Sequence, residues 1–185
     1  MKRTAPILLI LACVALLATA ACNPYSTVVE ERSLRSMTTD KRIANEILAK
    51  FVDDSVVSGL AIDPFCYEGH VYLVGEYTDQ TEKNRAIEIA RKVSGVRQVT
   101  TYLLAERSDD PCSTADRVRI KTEVRGALIG DKDIWSTNID IATVQCDVVL
   151  LGIVGKDKEI ADAVAHAKAV DGVQRVKSFL RAVRR

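Results

Sequence analysis

The chain has 185 residues, 48% of them hydrophobic and 28% charged, the balance of an ordinary globular protein rather than a disordered or fibrous one. That length allows one or two domains. A formal net charge of +1 leaves recognition of any charged partner to local patches.

An internal repeat decides between one domain and two. Gly152 follows Gly75, and Gly172 follows Gly95, by 77 residues. The pairs Val71/Val148, Leu73/Leu150, Ala86/Ala163, Ala90/Ala167, Val96/Val173 and Val99/Val176 keep the same offset without a gap. Two copies this widely spaced form a tandem of small domains, not a solenoid. A unit of about 70 residues buries limited apolar surface, so each copy is only modestly stable alone.

The N-terminus opens with basic Lys2 and Arg3, followed by apolar residues from Ala5 to Ala21 and small residues before Cys22. This is the layout of an export signal. The competing reading is an uncleaved anchor, but 17 residues lie at the low edge for spanning a bilayer, and the small residues favour cleavage. Thr19-Ala20-Ala21-Cys22 resembles the bacterial lipobox, with Thr19 where Leu usually stands. Cutting at Cys13 instead would leave the apolar run from Val14 to Ala21 in the mature chain. The resemblance implies that Cys22 carries the lipid anchor and becomes the new N-terminus. Asn23 in place of Asp implies, by the same resemblance, onward sorting to the outer membrane. The divisions expected are a signal at 1–22, a tether at 23–35, a first domain at 36–106, a linker at 107–112 and a second domain at 113–185.

Residues from Asn23 to Thr39 are polar with little periodicity and read as a flexible tether reaching about 22 Å. Thr39-Asp40 then reads as a helix N-cap, with Ile43, Ala44, Ile47, Leu48 and Phe51 at helical spacing. Gly59 to Tyr67 reads as a strand that Pro64 confines to an edge. Glu68-Gly69 signals a turn into a second strand, His70 to Tyr77. There Val71, Leu73 and Gly75 share one face, while Tyr72, Val74 and Tyr77 interrupt the polarity of the other. A helix from Thr81 to Val93 turns Ala86, Ile87, Ala90 and Val93 inward, and Gly95 reads as its left-handed C-cap. The third strand is Gln98 to Ala105.

Ser108-Asp109-Asp110-Pro111 is a polar linker with a breaker. The order then repeats: a helix from Thr114 to Ile129 with Ile120, Val124, Ala127 and Leu128 inward; strands at Asn138–Val144, Val148–Val154 and Gln174–Leu180; and a helix at Asp157–Val170. Each unit is α-β-β-α-β. The right-handed crossover rule makes the fold class α+β, with each three-stranded mixed sheet carrying two helices on one face. Cys66, Cys112 and Cys146 form no CxxC spacing, so no zinc knuckle or thioredoxin-type motif is present. After export, one disulfide or three partly buried thiols are both compatible with the sequence.

Both repeats read V-x-L-x-G, then about twenty residues to Gly-Val, then a valine-rich strand. This resembles the BON domain, a small module of bacterial envelope proteins, over most of the chain beyond the tether. With the lipobox, the layout is similar to the dual-BON outer-membrane lipoproteins. That resemblance implies a non-enzymatic periplasmic role in envelope integrity, lipid-anchored on the periplasmic side of the outer membrane. It also implies binding of anionic phospholipid through the second domain.

Charge separates the two repeats. Residues 23–112 hold 11 Lys and Arg against 15 Asp and Glu, whereas residues 113–185 hold 13 against 10. Arg117, Lys121 and Arg125 form an i, i+4, i+8 stripe where the first repeat has Asp40, Ala44 and Leu48. Arg181, Arg184 and Arg185 add a basic tail. The stripe and tail are the expected anionic-lipid contacts, set against the plainer reading of a solvated helix face. Each basic residue near an acidic bilayer contributes about 1 kcal/mol, and a lipid anchor makes that contact intramolecular at an effective concentration of order mM. Arg119 stands near where the family's membrane-contact aromatic is expected. Trp135, in the following loop, reads either as an interfacial residue or as a partial cover for the core.

Catalytic chemistry lacks its parts. His70 and His166 have no nucleophile or acid at a motif spacing, and Gly126 and Gly130 are not followed by Lys-Ser/Thr as a phosphate loop requires. The element order invites comparison with the KH module, but the GXXG clamp of that RNA-binding fold is missing. No cofactor, metal or nucleic acid is expected. The leading partner is an anionic phospholipid membrane, and the alternative is an adaptor or scaffold docking on envelope proteins.

Overall fold

The computed structural model describes residues 24–58 and 61–183, with side chains from Ser36 onward. The anchor Cys22, the signal, Gly59 and Leu60 of the expected first strand, and Arg184 and Arg185 lie outside the described residues. From Thr39 onward the chain forms one compact unit containing both repeats. In order the elements are α1 (Pro24–Asp53), β1 (Ile62–Tyr67), β2 (His70–Tyr77), α2 (Gln80–Lys92), β3 (Gln98–Ala105), α3 (Thr114–Gly130), a single 3-10 turn (Ser136–Asn138), β4 (Ile139–Val144), β5 (Asp147–Val154), α4 (Asp157–Ala169) and β6 (Arg175–Ala182). The fold is therefore two α-β-β-α-β modules in tandem. In each, the middle strand pairs antiparallel with the strand before it and parallel with the one after.

The start of α1 differs from the sequence reading. Thr39-Asp40 is no N-cap, because the helix already runs from Pro24. Pro24 suits the first turn of a helix, and no Gly or Pro follows until Gly59, so nothing in the chemistry of the expected tether stops helix formation. Asp40 acts elsewhere: its carboxylate accepts from the backbone N–H of Glu68 at 2.7 Å and of Gly69 at 2.9 Å, and from the Cys66 thiol at 3.2 Å. It fastens the β1–β2 turn. Burial, reinforced by Asp40, pushes the Cys66 thiol up to about 12, so the free thiol stays protonated and inert. The end of α2 also differs, since Val93 is the C-cap and Gly95 adopts its positive φ two residues later.

The glycine of the V-x-L-x-G pattern has a steric cause. Gly75 and Gly152 sit at φ of 152° and 142° where their strands cross closely over the preceding edge strand. A Cβ would lie 2.0 Å from the carbonyl oxygen of Ala61 or of Asn138, an overlap no side chain tolerates.

Two cores follow the expected helix-on-sheet arrangement. Ile43, Ile47, Phe51, Val71, Leu73, Ala86 and Ala90 pack together in the first repeat. Ile120, Val124, Leu128, Val148, Leu150, Ala163 and Ala167 do so in the second. A third core lies between the sheets: Tyr72 and Val74 of β2 cluster with Ala142 and Val144 of β4 and with Val149 and Leu151 of β5. Phe65, Tyr67, Tyr102, Leu104 and Phe179 close its margins. The two sheets thus meet face to face with helices outside, and this is why β2 and β5 are apolar on both faces.

Polar contacts frame that third core. Tyr67 donates to Asp140 at 2.5 Å and Tyr102 to Asp147 at 2.6 Å, while Gln145 donates to Glu76 and to the Ala105 carbonyl at 2.8 Å each. Burial, with the Asp147 hydrogen bond behind it, pushes the Tyr102 phenol up to about 12. A disulfide joins Cys112, just before α3, to Cys146 in the β4–β5 turn, across a sequence separation of 34. Closing a loop of that size is worth about 3–4 kcal/mol.

Two outcomes test this arrangement. Leu151 is fully buried in the shared core, so Leu151→Ala costs about 2–5 kcal/mol. Circular dichroism, which reports both repeats, and Trp135 fluorescence should still follow one coincident transition; two separated transitions would show that the repeats fold independently. The second outcome concerns Glu82, a buried carboxylate. Its burial alone would raise its pKa, but hydrogen bonds from Thr78 N, Ser58 N and the Thr78 hydroxyl outweigh this and hold it below its ordinary 4.5. A depressed carboxyl stabilises the fold above its unfolded value and loses that contribution as pH falls through the native value. The stability measured by urea unfolding should therefore fall faster with decreasing pH below about 4.5 in wild type than in Glu82→Gln; parallel pH profiles would contradict the assignment.

Candidate membrane-contact surface

The basic stripe of α3 does not survive folding as one surface. Arg117 reaches Glu76 of the first repeat at 2.8 Å and Asp110 of the linker at 2.6 Å. Desolvation would lower the Arg117 pKa, but hydrogen bonds to these two carboxylates raise it on balance. Arg125 donates to the backbone carbonyls of Ser136 and Ile139 at 3.3 and 2.9 Å. Lys121 is exposed. Burial raises the nearby Asp63 carboxyl and the Lys121 charge partly offsets it. Arg181 turns to the first repeat, reaching Glu68 at 3.2 Å and the Tyr67 carbonyl at 3.5 Å. A helical stripe has only fixed angular positions. Both of its guanidiniums are drawn inward because the neighbouring sheet and loop supply carboxylates and carbonyls that spacing alone does not reveal.

An apolar line replaces it. The inward set of α3 is Ile120, Val124 and Leu128. Val118 and Ile129 point away from it and are 61% and 65% exposed. They stand eleven residues apart in the sequence, close to three full turns, so they lie along one side of the helix about 16 Å apart. Between them on that side stand Thr122 and Arg125, and Gly126, further round the helix, has nothing within 4 Å of where a Cβ would sit. Trp135 follows in the loop and is 69% exposed. Exposed Arg119, Lys121 and Lys132 lie on the same helix and loop, with Arg119 paired to Glu123 at 3.2 Å. The sequence signal for this surface was present: α3 carries aliphatic residues on two sides rather than one.

The loop that bears Trp135 is fastened at several points. Its neighbour Ile134 is buried. The Trp135 backbone N–H donates to the Glu159 carboxylate of α4 at 3.2 Å. His166 of α4 contacts Asp131 at 2.9 Å, and that contact leads the causes lowering the Asp131 pKa. The other Asp131 oxygen accepts from Asp133 N at 2.9 Å. These contacts fix the backbone of the loop on which the exposed Trp135 stands. Among the described residues no group of His, Cys, Asp and Glu could hold a metal ion, and no helix is long and apolar enough to cross a membrane.

Comparison with known proteins agrees with the architecture. The BON domain model matches residues 39–105 and 116–184. The chain is 26% identical to osmotically-inducible protein Y of Escherichia coli K12, over 77% of this chain and 72% of that one. It is 25% identical to the outer membrane lipoprotein DolP of Haemophilus influenzae, over 75% of each. It is also 27% identical to an uncharacterized protein of Anaplasma centrale, over 62% of this chain and 76% of that one. Two matched segments covering most of the residues, each folded as α-β-β-α-β, place the chain in the BON-domain family as a tandem of two non-catalytic modules.

Proposed function

We propose that this chain is a non-enzymatic envelope protein, held by a lipid on Cys22 to the periplasmic side of the outer membrane, whose second BON domain rests on anionic phospholipid to maintain envelope integrity. The observation that carries the reading is the outward line of α3, with Val118, Ile129 and Trp135 exposed on a folded domain and Lys121 and Lys132 exposed beside them. Full transfer of a Val, Ile or aromatic side chain from water contributes about 1.5–3 kcal/mol. Shallow insertion yields less, and each cation adds about 1 kcal/mol. The sum suits a reversible contact that an acyl tether makes persistent through effective concentration. The similarity to DolP, an outer membrane lipoprotein by its name, supports the location. In this reading Lys121 keeps its place in the lipid contact. Arg117 ties α3 to Glu76 and Asp110, Arg125 lies on the same side as Val118 and Ile129 but is held by the Ser136 and Ile139 carbonyls, and Arg181 braces the first repeat.

Cosedimentation with vesicles tests it, using a form lacking residues 1–22. Binding to vesicles containing phosphatidylglycerol is expected, with loss on removing the acidic lipid and weakening as salt rises. Combining Val118→Ser, Ile129→Ser and Trp135→Ala should reduce affinity at least about tenfold, the equivalent of losing roughly 1.4 kcal/mol of contact. Equal binding by this triple variant would overturn the assignment of the surface. Absence of vesicle binding, with recovery of one stoichiometric envelope protein instead, would favour the adaptor.

A further inference from the structure

The repeat offset exposes a device that neither repeat shows alone. Glu82 and Glu159 are 77 residues apart, and so are Ser58 and Trp135. Each glutamate lies in the first turn of the second helix of its repeat and is buried. Each accepts a hydrogen bond from the backbone N–H of the partner residue beyond the first helix: Ser58 N to Glu82 at 2.7 Å, and Trp135 N to Glu159 at 3.2 Å. The latch belongs to the module, but only in the second repeat does it hold an exposed aromatic.

We propose that Glu159 is the positioning residue for the Trp135 contact, fixing the backbone of the α3–β4 loop so that the indole is presented outward beside α3. This inference rests on the lipid reading above for its purpose, though not for its geometry. Three features support a specific role. The bond goes to the backbone of Trp135 itself, so it sets the Cα position from which the indole projects. A buried carboxylate that accepts a backbone N–H makes a charge-assisted bond stronger than a neutral one. The remaining attachments are a bond within the 3-10 turn, from Asn138 N–H to the Trp135 carbonyl at 2.9 Å, and three that lie on either side: Ile134 in the core, Arg125 on the Ser136 carbonyl, and His166 on Asp131. Only the Glu159 bond ties Trp135 itself to another helix, so without it the loop stays attached and the turn stays closed, but Trp135 loses its register against α4.

The chain contains one tryptophan, so its fluorescence reports this loop alone. The experiment uses the full chain and three variants. Glu159→Met removes the acceptor at similar volume, Glu159→Gln keeps one oxygen acceptor, and Glu82→Met removes the sister latch from the first repeat. Two readouts are compared: time-resolved anisotropy of Trp135 without lipid, and the blue shift of its emission on titration with vesicles of phosphatidylglycerol and phosphatidylcholine. Glu159→Met should add fast local motion and raise the lipid concentration at half-shift about tenfold, the scale set by one hydrogen bond to a charged group. Glu159→Gln should restore both, and Glu82→Met should leave both as in wild type. Unchanged anisotropy in Glu159→Met, or an equal change in Glu82→Met, overturns the proposal.

Should Glu159→Met not fold, amide exchange in wild type decides: the Trp135 N–H is expected to be protected, and exchange at the rate of an unstructured amide overturns the proposal. If wild-type Trp135 gives no shift with vesicles, the lipid reading fails, while the lipid-free anisotropy still judges the role of Glu159.

Discussion

A three-stranded sheet with helices on one side leaves its other side bare, and covering that side is the constraint on which this molecule depends. β2 and β5 place Tyr72, Val74, Val149 and Leu151 on faces that their own helices do not touch. Each repeat is too small to leave such a face in water and remain stable. The two faces therefore cover each other, and the repeats become one compact unit. The framing pairs Tyr67–Asp140, Tyr102–Asp147 and Arg117–Glu76 satisfy polar groups that this burial would otherwise strand. The Cys112–Cys146 bond fastens the linker end of α3 to the β4–β5 turn, whose Gln145 reaches the first repeat.

That arrangement determines which surfaces remain. With sheet faces inward, the outward sides of the helices and the loops beside them are what a partner can meet. Duplication then allowed equivalent positions to diverge. At one such position Asp40 fastens its own β-turn, whereas Arg117 reaches into the neighbouring repeat. At another, Ser58 ends the first helix region as a plain polar residue and Trp135 supplies an exposed indole. The shared scaffold carries the fold, while the unshared side chains differ in what they touch, so the two repeats present different surfaces.

The tandem order, the strand boundaries and the inward helix residues could be read from the sequence because they rest on periodicity and on an ungapped repeat. The contact surface could not be read the same way. A helical wheel shows that Arg117 and Arg125 share a side, but it does not show that Glu76, forty-one residues away, or the Ser136 carbonyl will claim them. Tyr72 and Val74 did mark the second buried face of β2, as breaks in an otherwise polar side. Their meaning required knowing that another sheet stood opposite. The pairing of Cys112 with Cys146 was likewise open until the β4–β5 turn was seen beside the start of α3. Helix α1 extended further than expected because polarity is a weak signal of disorder when no glycine or proline interrupts the run.

The central claim is that the outward side of α3 and the Trp135 loop enter the interface of an acidic bilayer. Quenching of Trp135 fluorescence by bromine placed at known depths on lipid acyl chains measures this most directly. The account predicts strong quenching from bromines nearest the head groups in phosphatidylglycerol vesicles, little from those near the bilayer centre, and none in purely zwitterionic vesicles. Vesicle-bound protein whose Trp135 is unquenched at every depth would contradict it.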